Sequence, residues 1–210
     1  MTHSDIIARI CAAAPVIPVL TIDRVEDAQP LARALVAGGL QALEITLRTD
    51  AALEAIAAIA EVEGAMPGVG TLLTALQVEN AKASGATFGV SPGATPALIS
   101  ATKEFDLPLL PGAATATEAM SLLEQGFTFQ KFFPAEAAGG ASALGSLEGP
   151  LPQITFCPTG GITPQNAKTY LALPNTLCVG GSWIAPKALV AAGAWDEITQ
   201  IARRAAVLLR

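Results

Sequence analysis

Short apolar or β-rich runs alternate along this chain with longer Ala- and Leu-rich stretches whose apolar positions recur at helical spacing. The short runs are PVIPVL (15–20), ALEITL (42–47), MPGVGT (66–71), ATFGVS (86–91), PLLPGA (108–113), FTFQKFF (127–133), QITFCPTG (153–160) and TLCVGG (176–181). Between them lie QPLARALVAGG (29–39), AALEAIAAIAEV (51–62), TALQVENAKASG (74–85), TPALISATKEF (95–105), TATEAMSLLEQG (115–126) and PQNAKTYLAL (164–173). Several of these open on Thr or Asp, as an N-cap requires, and close on Gly. Thr163-Pro164 has the form of a cap followed by a first-turn proline. Eight strand signals separated by helices predict a parallel sheet, and eight is the number that closes a (β/α)8 barrel. An open doubly wound sheet is the alternative. It would carry a GxGxxG-type turn after the first strand, where this chain reads TIDRVEDA. The expected fold is thus α/β, one (β/α)8 TIM-barrel domain over 1–210, with an additional N-terminal helix (4–14) across the barrel's bottom. A last helix, WDEITQIARRAAVLL (195–209), places Ile198 and Ile201 on one stripe and uses Trp195 to bury itself.

Two strands break the apolar pattern. In QALEITLR (41–48), Leu43, Ile45 and Leu47 share one parity and Glu44, Thr46 and Arg48 the other. Helices cover the outer face of a barrel strand, so the apolar set faces outward and Glu44, Thr46 and Arg48 face the interior. Four residues of strand span about 13 Å, which puts Glu44 deep and Arg48 at the mouth. An edge strand with one solvated face would give the same parity. FQKFFPAE (129–136) repeats the anomaly, with Phe129, Lys131 and Phe133 on one face. A buried lysine is either an ion-pair partner, here for Glu44 or Glu136, or an activated amine. At an ordinary pKa near 10.4, a lysine is free amine in roughly 1 molecule per 2,500 at pH 7. A nucleophilic role therefore asks for burial, among Phe129, Phe132 and Phe133, and for a cation such as Arg48 nearby. Glu136, just past Pro134, suits a loop-anchoring hydrogen bond better than catalysis.

Composition narrows the chemistry. The chain has 210 residues, 51% hydrophobic and 14% charged, ample for a large core and poor for disorder. Its mean hydropathy of +0.49 is high for a soluble monomer and points to a subunit interface. No run of 18 apolar residues offers a membrane span, and the start, MTHSDIIARICAAAPVIPVL, makes a poor secretory signal. With a net charge of −6 and no basic stripe, nucleic acid is not an expected partner. Cys11, Cys157 and Cys178 are odd in number and lack CxxC spacing, which argues for a reducing compartment and small buried core roles. His3 is the only histidine, so neither a histidine metal site nor a Ser-His-Asp triad is expected. Neither a nicotinamide fingerprint nor a Walker loop is present.

The glycines form a second constellation. PTGGITPQN follows strand seven and CVGGSW spans the end of strand eight. The loops after strands seven and eight of a (β/α)8 barrel often bind phosphate through backbone N–H groups. Gly160, Gly161, Gly180, Gly181 and Ser182 fit that role. GVGT (68–71) adds a Thr71 hydroxyl at the mouth, and SPGAT (91–95) a further tight strand end. One amine, one deep carboxylate, an arginine, a threonine and a phosphate cradle suit Schiff-base chemistry on a small keto acid.

LEITLR, GVGT, SPGAT, FQKFFPAE, FCPTGGI and CVGGSW, in this order, closely resemble the 2-keto-3-deoxy-6-phosphogluconate (KDPG) and 4-hydroxy-2-oxoglutarate aldolase family. The resemblance covers nearly the whole chain, and KFFPAE with FCPTGG is a highly specific pair. Val69 and Ala94 stand where the family more often has the Ala of GAGT and the Leu of SPGLT. The resemblance implies a class I pyruvate aldolase of the Entner–Doudoroff pathway. By it, Lys131 is the Schiff-base lysine and Glu44 the general acid/base. Arg48 and Thr71 hold the pyruvate carboxylate, while Gly161, Gly181 and Ser182 take the phosphate, and Pro92 and Phe133 line the pocket. It further implies a cytoplasmic homotrimer without metal or organic cofactor, whose partners are the keto-acid sugar phosphate, pyruvate and glyceraldehyde 3-phosphate. The aldolase for the C4-epimeric galactonate phosphate shares this chemistry. A sugar-phosphate binder without turnover would keep the barrel but would not need Lys131 or Glu44.

Overall fold

The computed structural model describes residues 2–208. The chain opens with α1 (His3–Ala13), started by a capping box in which Thr2 and Asp5 each bond the other's backbone N–H. Strands and helices then alternate: β1 (Val16–Leu20), α2 (Ala28–Ala37), β2 (Ala42–Thr46), α3 (Ala52–Ala60), β3 (Met66–Gly70), α4 (Ala75–Ala83), β4 (Phe88–Val90) and α5 (Pro96–Glu104). The second half runs β5 (Leu109–Leu110), β6 (Gly112–Ala113), α6 (Ala116–Leu123), β7 (Phe129–Phe132), α7 (Gly140–Ser146) and β8 (Thr155–Pro158). It ends with α8 (Ala167–Leu171), β9 (Val179–Gly181), α9 (Lys187–Ala191) and α10 (Trp195–Ala206). Leu209, the end of the expected last helix, lies outside the described residues.

Thr74, Thr95 and Thr115 cap α4, α5 and α6 with their hydroxyls, as their place before each helical run suggests. Thr163 departs from expectation. Its hydroxyl accepts from Asn166 N–H at 3.3 Å across a turn, and α8 proper starts only at Ala167. The Ala-, Gly- and Ser-rich stretch after β7 has no helical signature in its sequence, yet it carries α7. No helix among the described residues is long and apolar enough to cross a membrane.

All strand pairs are parallel, as helical crossovers demand. Six strands form one sheet in the order β5-β4-β3-β2-β1-β9, a half-barrel, and three form another in the order β6-β7-β8. The expected fifth strand is broken at Pro111, so β5 pairs with β4 while β6 pairs with β7. Proline has no N–H to give, but its carbonyl still accepts from Lys131 N–H at 2.8 Å. On the other side, isolated parallel bridges join Phe156 to Thr176 and Thr159 to Gly180.

Strand parity sorts the core into two parts. Leu43, Ile45, Val69, Phe132 and Phe156 belong to a large cluster shared with the helices. Ile17, Ala42, Phe88, Val90, Leu110, Cys157 and Cys178 form a smaller inner cluster together with Ile7, Ile10 and Cys11 of α1. Helix α1 thus seals the end at which the strands begin, and all three cysteines are buried free thiols within the inner cluster. Gly68 lies on the inner parity of β3. A Cβ there would collide with the Phe88 ring, so a residue without a side chain is what lets the aromatic fill the centre.

Candidate active site

Ala42 and Phe129 lie at the inner cluster, two residues before Glu44 and Lys131 on the same strands. The same pleat therefore turns Glu44 and Lys131 inward, further toward the strand ends. Lys131 Nζ donates to Glu44 Oε1 at 3.2 Å, and the two side chains are only 5% and 4% exposed. Removing an ammonium and a carboxylate from water costs several kcal/mol per ion, which attraction returns only in good geometry. Fold stability alone is thus a poor reason for such a pair. Chemically, it is a proton donor and acceptor within transfer distance. Gly70 of β3 makes the space, because a Cβ at that position would run into the Glu44 carboxylate.

The Phe133 ring centroid lies 5.2 Å from Lys131 Nζ. Phe132 does not surround the lysine as expected from sequence. It has the opposite parity and packs edge-on against Phe156, with centroids 6.2 Å apart, on the helix side of the sheet. What stands at hydrogen-bond distance from the amine is the Glu44 carboxylate rather than a cation.

Phe133 also walls a cavity of about 270 Å³, lined further by Val19, Arg48, Thr159, Gly160, Gly161, Ile162, Gly180 and Ser182. This space brings together the exposed Arg48 after β2 and the glycines after β8 and in β9. The 159–161 turn is held by its carbonyls. Thr159 O accepts from Ala135 N–H at 2.8 Å, Gly160 O from Glu136 N–H at 3.1 Å and Gly161 O from Asn166 Nδ2 at 3.1 Å. In a trans peptide the N–H points opposite to the C=O. The N–H groups of Gly160, Gly161 and Ile162 therefore point away from those three partners, a backbone arrangement suited to an anion. Gly160 and Gly161 have φ of 100° and 77°, values that side-chain-bearing residues rarely adopt.

Other expected residues stand outside the cavity lining. Thr71 follows Gly70 directly and has φ of 62°, an outlier for a β-branched residue. Pro92 follows β4, with its carbonyl against Gly112. Gly181 lies against the Trp183 ring. Thr159 was missed from sequence, although the parity that selects Lys131 also aligns Thr159 with inward Cys157. A Cβ on Gly180 would strike its side chain. Thr46, expected inside, donates its hydroxyl to Leu20 O at 2.8 Å.

The family described as KDPG and KHG aldolase matches residues 7–201. The 2-dehydro-3-deoxy-phosphogluconate aldolase of Pseudoalteromonas atlantica is 51% identical over 192 residues, which are 91% of this chain and 89% of that relative. The crystal structure of the Zymomonas mobilis 2-keto-3-deoxy-6-phosphogluconate aldolase with 3-phosphoglycerate superposes with a TM-score of 0.93 at 46% identity, covering 99% of this chain and 98% of that one. The Legionella pneumophila KDPG aldolase, with pyruvate captured as a covalent carbinolamine, gives a TM-score of 0.91 at 44% identity, covering 94% and 96%. With its family matched over most of its length and relatives near half identity along the whole fold, this chain belongs to the KDPG and KHG aldolases.

Proposed function

We propose that this chain is a class I, Schiff-base aldehyde-lyase that reversibly cleaves 2-keto-3-deoxy-6-phosphogluconate to pyruvate and glyceraldehyde 3-phosphate in the Entner–Doudoroff pathway. One arrangement carries the reading: a buried lysine and carboxylate 3.2 Å apart, beside a cavity with an arginine and a glycine loop on its walls.

Lys131 is the nucleophile. Glu44 takes a proton from its ammonium, and the free amine adds to the C2 ketone. Glu44 returns the proton to the carbinolamine oxygen, water leaves, and a protonated imine remains. Glu44, a carboxylate again, removes the C4 hydroxyl proton, directly or through a water. The C3–C4 bond breaks, its electrons pass into the iminium to give an enamine, and the aldehyde leaves. Protonation at C3 and addition of water then release pyruvate and restore the amine. Positioned acid–base help of this kind is worth about 10²–10⁴-fold. Arg48 and Thr71 hold the carboxylate and Pro92 and Phe133 line the pocket. The phosphate lies on the N–H groups of Gly160, Gly161, Gly180 and Gly181 and on the Ser182 hydroxyl. These local donors offset the net charge of −6, which repels an anionic substrate at long range. Because 4-hydroxy-2-oxoglutarate needs only the amine, the acid/base and the carboxylate grip, it is a side substrate.

The single domain is a (β/α)8 barrel. Counting β5 and β6 as one stave interrupted at Pro111 gives eight, and the isolated bridges Phe156–Thr176 and Thr159–Gly180 support closure of the ring. The exposed Leu73, Leu76 and Met120 support a subunit interface, here that of a homotrimer, and the free thiols support a cytoplasmic setting. The test is pyruvate release from the phosphorylated sugar acid, coupled to lactate dehydrogenase. Turnover is expected to survive EDTA and to disappear in Lys131→Arg. Near-parent cleavage by that variant would overturn the assignment.

A further inference from the structure

One polar pair takes no part in the covalent chemistry and lies behind the glycine loop. Tyr170 of α8, 1% exposed, donates its hydroxyl to Glu136 Oε1. The two are 34 positions apart, and Glu136 belongs to the segment leading from β7 to α7. Glu136 touches the loop twice. Its N–H holds the Gly160 carbonyl, and its side chain packs against Gly161, where an added Cβ would come within 2.6 Å of Glu136 Cγ. On the other side, a Cβ on Gly140 would lie 3.7 Å from Glu136 Oε1 and 3.6 Å from the Tyr170 hydroxyl. The Glu136 side chain, itself exposed, thus runs between two glycines and is tied at its tip to the buried Tyr170.

We infer that Glu136 and Tyr170 are positioning residues for the phosphate cradle and thereby set the preference for a phosphorylated over an unphosphorylated aldol donor. The inference rests on the phosphate reading of this loop. Lys131 and Glu44 sit on other contacts, so Schiff-base formation does not depend on the pair. The side chain acts by shape and as a hydrogen-bond acceptor, and Gln at position 136 retains both.

The experiment measures kcat and KM of the parent, Tyr170→Phe, Glu136→Ala, Glu136→Gln and Ser182→Ala on 2-keto-3-deoxy-6-phosphogluconate and on 4-hydroxy-2-oxoglutarate. Thermal denaturation checks that each variant is folded. Tyr170→Phe and Glu136→Ala are expected to raise KM for the phosphorylated donor about tenfold, the scale of a lost hydrogen bond to a charged group. Both kinetic constants for the unphosphorylated donor stay at parent values, and Glu136→Gln restores the parent preference. Equal losses on both donors, or no change on either, would overturn the positioning role. Ser182→Ala separates the two levels. If it alone weakens the phosphorylated donor, the cradle stands and the positioning role falls; if it too changes nothing, the cradle reading falls and takes the positioning role with it.

Discussion

Thr71 holds a left-handed backbone, φ 62°, that β-branched residues avoid, at a cost of order 1–3 kcal/mol. Glycine adopts this conformation without strain but loses roughly 0.5–1 kcal/mol to extra freedom in the unfolded chain. Thr71→Gly is therefore expected to be at least as stable as the parent in thermal denaturation. It is also expected to bind pyruvate at least about tenfold more weakly, because the hydroxyl goes. A destabilised variant with parent affinity would refute the role. Tyr170, the chain's single tyrosine, gives a second reading at this scale. Its burial, then its hydrogen bond to Glu136, push the phenol well above its ordinary value. Neutral phenol is the form that folding favours. Its contribution is full below the unfolded value near pH 10 and is lost only as pH rises through the higher native value. Absorbance at 295 nm of the folded protein should show no phenolate near pH 10–11, and in Glu136→Ala the onset should move toward lower pH. An ordinary titration in the parent would contradict the hydrogen bond. Glu44, Lys131 and Arg48 were legible from sequence because a period-two strand exposes any polar residue on the wrong parity. Tyr170 was not, since its partner lies 34 positions away across a fold that local pattern cannot close.

At the scale of elements, capping residues carry information that survives translation into structure. Before α6, Glu118 accepts backbone N–H groups from Ala114 at 2.8 Å and Thr115 at 2.9 Å, while the Thr115 hydroxyl accepts from Glu118 N–H at 3.3 Å. The bonds donated to its carboxylate, led by the one from Ala114 N–H, hold the Glu118 carboxyl below its usual range. Its stabilising share is present above the unfolded value and is lost as pH falls through the lower native one. Thr115→Ala should cost about 1 kcal/mol in urea unfolding; no change would show the box to be inert. Helices with such caps were read within a few residues of their observed bounds. Helix α7 was not, because GASALGS has neither a capping side chain nor an apolar stripe, and only Leu144 is buried to hold it. Likewise PLLPGA reads as one strand, whereas Pro111 splits its partners between two sheets, a consequence of pairing rather than of pattern.

At the scale of the molecule, parallel sheets around an inner apolar cluster explain why α1, a helix outside the strand–helix alternation, is needed. It covers apolar side chains such as Ile17, Phe88 and Leu110 at the end opposite the cavity. Leu73, Leu76 and Met120 remain exposed on the monomer. Light scattering after size exclusion is expected to give three subunits, and a monomer would remove the explanation for that apolar surface. Sequence pattern alone suggests an assembly but gives no number, because composition reports excess apolar area and says nothing of symmetry. The central claim is the covalent one. The protein would be incubated with pyruvate, reduced with borohydride, digested and mapped by mass spectrometry. A stable pyruvyl adduct confined to Lys131 is the result expected here, and folded protein that forms no adduct, or forms it at another lysine, would contradict the mechanism.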